Sequence, residues 1–267
     1  AYYQNEDGGF AHALEPDAWN PNSSPIQTWA ATEILHEIDF TDSSHPLIIG
    51  ILTYLESGQD FADSLWYNTI ASNNDYPHAP WWHASNGSTH YDSYNPSACL
   101  AGFIVRHAAE QSSLYRLGER IVMNAYEYLL SPEWQIEMHL ISCYIRMLDY
   151  CQEAGTSAID IAVLEERLRQ AVSASITKDT SAWGVSYITK PSQFFNPKRS
   201  VFYEDNKEIA DYEADFIVRT QLDDGSWDIP WSWGDYPDAW AISKNWWQGH
   251  AIISNLLFLK GMGKLSF

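Results

Sequence analysis

Three observations in the sequence predict an all-α protein, an α/α toroid in which antiparallel helical hairpins form an inner and an outer layer. Apolar residues recur at helical spacing through most of the 267 residues. Helices that are apolar on most sides alternate with helices that carry one charged face, as two concentric layers require. Strand signals are sparse, and only Gly184 to Thr189 reads as a short strand or an extended loop.

Helix starts come from a repeated dipeptide. Ser24-Pro25, Asn95-Pro96 and Ser131-Pro132 each set a capping side chain before a proline. Ser or Asn accepts a free backbone N–H there, and proline at the first helical position has none to leave unpaired. These pairs open runs over Ile26 to Ile38, Ala98 to Ala109 and Trp134 to Ala154. Further amphipathic runs cover Pro46 to Leu55, Ile159 to Ile176, Glu208 to Gln221 and Ala239 to Leu259, and another keeps Leu114, Leu117, Ile121 and Tyr128 on one face. Ile136 to Cys151 is apolar except for the strip His139, Ser142, Arg146 and Asp149, which predicts a buried helix with an internally paired polar strip. Val163 to Ala171 carries Glu165, Glu166, Arg167, Arg169 and Gln170, the face of a helix that meets water. The expected organisation is one toroid domain over residues 1–267, with the first helix of the first hairpin preceding Ala1.

Charge narrows the partners. With 15 Lys+Arg against 35 Asp+Glu the formal charge is −20, a surface that repels phosphate backbones, so nucleic acid is not an expected partner. No apolar run reaches the roughly 20 residues of a membrane span. Cys99, Cys143 and Cys151 are too few and too scattered for a disulfide scaffold. That suits a reducing compartment, and a cytoplasmic location is the expectation. Nothing in the sequence selects an oligomeric state. The 13 Trp, 16 Tyr and 10 Phe exceed what a core needs and suggest a lined cavity for a small molecule.

One local pattern comes twice. Gln4-Asn5-Glu6-Asp7-Gly8-Gly9-Phe10 and Gln221-Leu222-Asp223-Asp224-Gly225-Ser226-Trp227 share a Gln, an Asp-Gly pair and an aromatic at matching positions. Tyr212 and Glu213 stand where a basic and a small residue would open the second copy; weaker copies lie at Tyr54-Leu55, Gln59 and Trp66 and near Trp183-Gly184. The pattern resembles the QW motif of squalene and oxidosqualene cyclases. His12-Ala13-Leu14-Glu15-Pro16-Asp17 is similar to a segment of uncharacterised bacterial proteins grouped with such toroids. The resemblance implies a terpenoid cyclase or protein prenyltransferase-like fold, with Gln221, Asp224, Gly225 and Trp227 as scaffolding that ties helix ends together. The Asp-x-Asp-Asp acid, the Asp-rich magnesium helix and the Asp-x-Cys zinc set of that family do not occur in the sequence.

In a toroid the loops before the inner helices gather at one end. Here those loops are the long ones, residues 5–23, 60–94, 182–205 and 223–238, and long loops in helical domains carry function. The expected mouth is lined by candidate acids and bases Glu15, Asp17, Asp92, Asp228 and His83, and by candidate ligand contacts His78, Trp81, Trp82, Asn95, Trp231 and Trp233. Carboxylate pairs suit general acid–base work, and Trp faces suit stacking or cation stabilisation. The competing reading of residues 77–83 is a loop pinned by proline and buried Trp. His78, His83, His90 and Asp92 match no zinc spacing, so no metal or cofactor is assigned. The ligand is expected to be isoprenoid-like, or sugar-like if the chain is a carbohydrate-active α/α protein. A non-catalytic interaction module is the third alternative.

Overall fold

Proline and side-chain caps set most helix starts. The structure, a computed structural model, describes residues 2–85 and 94–265. Helix accounts for 55% of it and strand for 4%, so the protein is all-α. In chain order the helices are α1 (Pro25–Glu37), α2 (Pro46–Glu56), α3 (Ser97–His107), α4 (Ser113–Leu130), α5 (Met138–Ala154), α6 (Ile161–Ser175), α7 (Lys207–Thr220) and α8 (Pro237–Gly261). Ser24 caps α1 as expected, accepting the Gln27 N–H at 3.2 Å. His45 caps α2 in the same way, its Nδ1 accepting the Leu47 N–H at 3.2 Å.

Two of the Pro-preceded caps do not act as expected. Asn95 is not the N-cap of α3; Pro96 is, and the Asn95 carboxamide oxygen instead accepts the Cys143 thiol at 3.5 Å. Ser131 closes α4 rather than opening α5, donating to the Tyr128 carbonyl at 2.8 Å. Glu137 takes over at α5: its two carboxylate oxygens accept the His139 and Leu140 N–H groups at 3.0 and 2.8 Å. Gly184 to Thr189 is a loop. The paired strands lie elsewhere, where Phe61–Ala62 meets Leu65–Trp66 through a turn at Asp63 and Ser64.

The chain divides into two compact units, Ala1–Gln135 with Cys143–Glu165, and Ile136–Ser142 with Glu166–Phe267. In the first, α3 buries every residue from Ser97 to Val105. The buried face of α4 runs through Leu114, Gly118, Ile121, Val122, Ala125 and Leu129, the helical spacing its sequence shows. Three helices of this unit run in parallel. Ascending contacts fix the direction: Thr32 of α1 meets Cys99 of α3, and Glu33 meets Arg146 of α5. One turn further on, His36 meets Tyr150, which also packs on Phe103 and His107. The polar strip of α5 is paired as expected, since Arg146 forks onto Glu33 at 3.1 and 3.2 Å and reaches Asp149 at 2.7 Å.

The second unit carries α7, α8 and the second copy of the repeated turn. That copy has the same geometry as the first. Gln4 Nε2 donates to the Gly8 carbonyl at 3.0 Å, and Gln221 Nε2 to the Gly225 carbonyl at 2.9 Å. Asp7 accepts the Gly9 N–H at 2.9 Å, and Asp224 the Ser226 N–H at 2.9 Å. The Gln and Asp therefore close their own turn instead of satisfying helix ends. That task falls to the aromatic in the second copy, where the Trp227 indole donates to the Ile217 carbonyl in the last turn of α7 at 2.9 Å. α8 buries little: Ala239, Ser243, Phe258 and Leu259 face inward, while Ile242, Trp246, Ile253 and Leu256 are exposed. Its apolar residues are spread around the helix and form no single stripe.

Glu213, which replaces the small residue of the motif, is buried on α7 and holds a turn. Its carboxylate accepts the Ser192 N–H at 2.8 Å and the Ser192 hydroxyl at 2.6 Å. Burial pushes its pKa up to about 7, against the pull of Ser192 and the nearby Lys190 ammonium. A carboxyl whose pKa is raised on folding contributes stability that is present below about pH 4.5, the unfolded value, and is lost as the pH climbs through about 7. The span corresponds to on the order of 3 kcal/mol. Glu213→Gln keeps one of the two acceptor oxygens and removes the titration, so the wild-type-minus-variant unfolding free energy is expected to fall between pH 5 and pH 8. A difference that stays flat in denaturant melts across that range contradicts the burial of an ionising group.

Candidate functional site

The sequence-predicted residues fall in both units. Asp228 is an exposed side chain of the second, 4.0 Å from the Lys244 ammonium. Trp231 joins an aromatic row with Tyr187 and Trp247 at centroid distances of 5.5 and 5.3 Å, and Trp233 is buried against Trp240. Asp92 and His90 lie outside the described residues. Among the described residues no three His, Cys, Asp or Glu side chains converge as metal ligands do.

The first unit brings five of the predicted residues together: Glu15, Asp17, His78, Trp82 and His83. Two loops cross here, each placed by backbone hydrogen bonds. Ala18 bridges His78 in an antiparallel pair, the Ala79 N–H donates to the Asp17 carbonyl at 2.8 Å, and the Trp19 N–H to the Pro77 carbonyl at 2.9 Å. Gln27, in the first turn of α1, locks the first loop: its Oε1 accepts the Glu15 N–H at 2.8 Å and its Nε2 donates to the Ala18 carbonyl at 2.8 Å. Asn20 donates to Asn73 at 2.9 Å, and Asn73 in turn donates to the Trp82 carbonyl at 3.1 Å. These buried amides hold the loops as a helix cap would, and nothing in their spacing announces it. His12 and Ala13, just ahead, both take left-handed φ, 62° and 60°, a conformation costing a non-glycine residue about 1 kcal/mol. Such strain clusters where loops do work.

Glu15 and Asp17 are both buried, at 7% and 3% exposure, in a protein whose other acids mostly face water. The Asp17 N–H donates to Glu15 Oε2 at 3.0 Å. Burial, then the Asp17 charge, hold the Glu15 carboxyl well above the usual carboxylate range. The Asp17 N–H and the Trp82 indole work against that rise, although the indole N–H stops short of hydrogen-bonding geometry and is left without a partner. A carboxyl whose proton affinity is raised by burial beside a second carboxyl is what general acid catalysis uses.

Beside these acids a pair of imidazoles runs from the interior to the surface. His78 is buried, donates from Nδ1 to the Tyr76 carbonyl at 2.6 Å, and shares a hydrogen bond through Nε2 with Nδ1 of exposed His83 at 3.1 Å. Trp81 is 42% exposed, Trp82 half-buried. Asn95, predicted as a ligand contact, is half-buried and engaged by the Cys143 thiol.

The polar network that sequence reasoning left unassembled is the one around Arg146. Glu33 and His36 lie three residues apart on α1 and face Arg146 and Asp149, also three apart on α5. Matching one-turn spacings of opposite charge on two apolar helices was the available signal.

None of the family models, curated proteins or solved structures compared with the chain matches it. Function therefore rests on the chemistry of these side chains.

Proposed function

We propose that the crossing loops of the first unit form an acid-catalytic site in which Glu15 donates a proton to a small neutral ligand. The observation that carries this is the burial of the Glu15 carboxyl beside Asp17 and Trp82, which raises its proton affinity. Asp17 is the partner carboxylate, Trp81 and Trp82 form the apolar wall able to stabilise positive charge, and His83 with His78 conducts protons between solvent and the interior. An isoprenoid double bond is the substrate this arrangement suits: protonation leaves a carbocation that Trp faces stabilise. The −20 charge argues against a diphosphate on that substrate. A sugar ligand is the second reading, favoured by the exposed face of Trp81. Three free thiols, all buried, suit a reducing cytoplasmic setting.

The test is deuterium uptake. Incubated with farnesol in deuterated water, the protein is expected to place deuterium on alkene-derived carbons, and Glu15→Gln, which keeps the acceptor for the Asp17 N–H, to lower that rate about 10²–10⁴-fold. The acid form is the active one, so the rate is present at low pH and is lost as the pH rises through the elevated Glu15 pKa. Release of reducing ends from oligosaccharides, lost in the same variant, selects the sugar reading. Neither product forming, or full activity in Glu15→Gln, sinks the proposal.

A further inference from the structure

A second site lies where three helices of the first unit end. α1, α3 and α5 run in parallel, so their C-terminal turns, ending at Glu37, His107 and Ala154, gather together. Between those turns is a cavity of about 90 Å³, lined among others by His36, Asp39, Phe40, Phe103, His107 and Glu153. That volume holds a few waters, each taking about 30 Å³ in the liquid, or a small organic ion. The macrodipole makes each helix C-terminus a region of negative potential, and three converge on this cavity.

The side chains add to that potential. Asp39 and Glu153 line the cavity, Glu153 paired with Arg106 at 2.9 Å, and the Glu33–Arg146–Asp149 cluster joins it through His36, which Arg146 reaches at 2.9 Å. Four carboxylates against two cations leave an excess of two negative charges. The walls are aromatic: Phe103 packs on His107 at 4.5 Å and edge-on to Tyr150 at 5.8 Å, with Phe40 opposite. His107 is 8% exposed and lines the cavity, its Nδ1 bonded to the Ser43 hydroxyl at 2.9 Å. Nδ1 is occupied by Ser43, and in the tautomer whose Nδ1–H donates to that hydroxyl Nε2 is left as an acceptor. Burial, with the Arg106 charge, pushes the His107 pKa down to about 4, so the ring stays neutral and able to accept.

The geometry points to a binding site for a small primary ammonium: Nε2 of His107 and the carboxylates of Asp39 and Glu153 accept its three N–H groups, while Phe40, Phe103 and Tyr150 face its alkyl carbon. A quaternary ammonium lacks the N–H donors, and a sodium ion lacks both donors and an alkyl group. This site is independent of Glu15 and its loops.

Titrating the full chain with methylammonium chloride at constant ionic strength, and following the His107 ring nitrogens by NMR, tests it. A saturable shift at Nε2 is expected, with tetramethylammonium weaker. Asp39→Asn, at an exposed left-handed position that Asn tolerates, should weaken methylammonium about fivefold. Phe40→Leu should weaken it by a similar factor. Equal shifts with sodium chloride, no saturation, or unchanged affinity in Asp39→Asn each overturn the assignment.

Discussion

Replacing Arg146 by alanine is expected to destabilise the first unit by about 3–5 kcal/mol, the cost of leaving buried charges without their partner. The guanidinium is 19% exposed and satisfies Glu33 through both carboxylate oxygens, Asp149 at 2.7 Å and the His36 Nε2 at 2.9 Å. Cys99 adds a fourth tie to the cluster by donating its thiol to Glu33 at 3.2 Å. Burial raises the Asp149 pKa to about 6 even with Arg146 pulling it down, so removing the arginine leaves a carboxyl that ionises only at a cost. The sign with pH follows. In the variant, Asp149 takes up a proton more readily in the folded than in the unfolded chain, so the loss is larger at pH 8 than at pH 5. Coupling has a sign too: Glu33→Met added to Arg146→Met removes the orphaned charge, and the pair should cost less than Arg146→Met alone. Urea melts of the single and double variants at both pH values are the measurement. Additive losses, or a loss under 1 kcal/mol for Arg146→Ala, mean that the cluster is solvated and of little consequence.

The same cluster shows what the sequence carried. The polar strip on α5 was legible because helical spacing places Arg146 and Asp149 on one face of an otherwise apolar run, and buried polar groups must pair. Its partner strip on α1 was not, since Glu33 and His36 sit among exposed Ile34 and Glu37 and look like surface residues. Helix existence was read well, and the errors were at caps. A Ser-Pro pair specifies a helix start only where the next turn is helical; Ser131-Pro132 has the right residues, yet Glu137 supplies the carboxylate that opens α5 five residues later. Glu15 and Asp17 were picked as acids for their loop, but their burial arises from contacts 50 to 60 residues away along the chain, Ala18 to His78 and Asn20 to Asn73. Periodicity reports which face of a helix is apolar. It carries no record of which loops cross.

The repeated turn allows an internal comparison with a large expected effect. Gly8 and Gly225 occupy the same position in the two copies, with φ of +88° and +87°. An added Cβ at either meets the left-handed penalty of about 1 kcal/mol. At Gly225 the nearest atom to that Cβ is Gln221 Nε2 at 4.0 Å, ordinary contact. At Gly8 it falls 2.1 Å from the Gly50 carbonyl oxygen, on the backbone of α2, which has no side-chain rotamer with which to move away. Gln4 closes the same junction, donating to the Leu47 carbonyl at 3.1 Å as well as to its own turn. Gly8→Ala must therefore shift α2 or the turn, adding about 1–3 kcal/mol of overpacking to the conformational term. The expected totals are roughly 3 kcal/mol for Gly8→Ala and about 1 kcal/mol for Gly225→Ala, read from denaturant unfolding of each variant. Equal losses at the two sites mean that the first turn does not press against α2. The Asp-Gly signature alone predicts the same cost for both, because the turn is written in the local sequence and the helix it docks on is not.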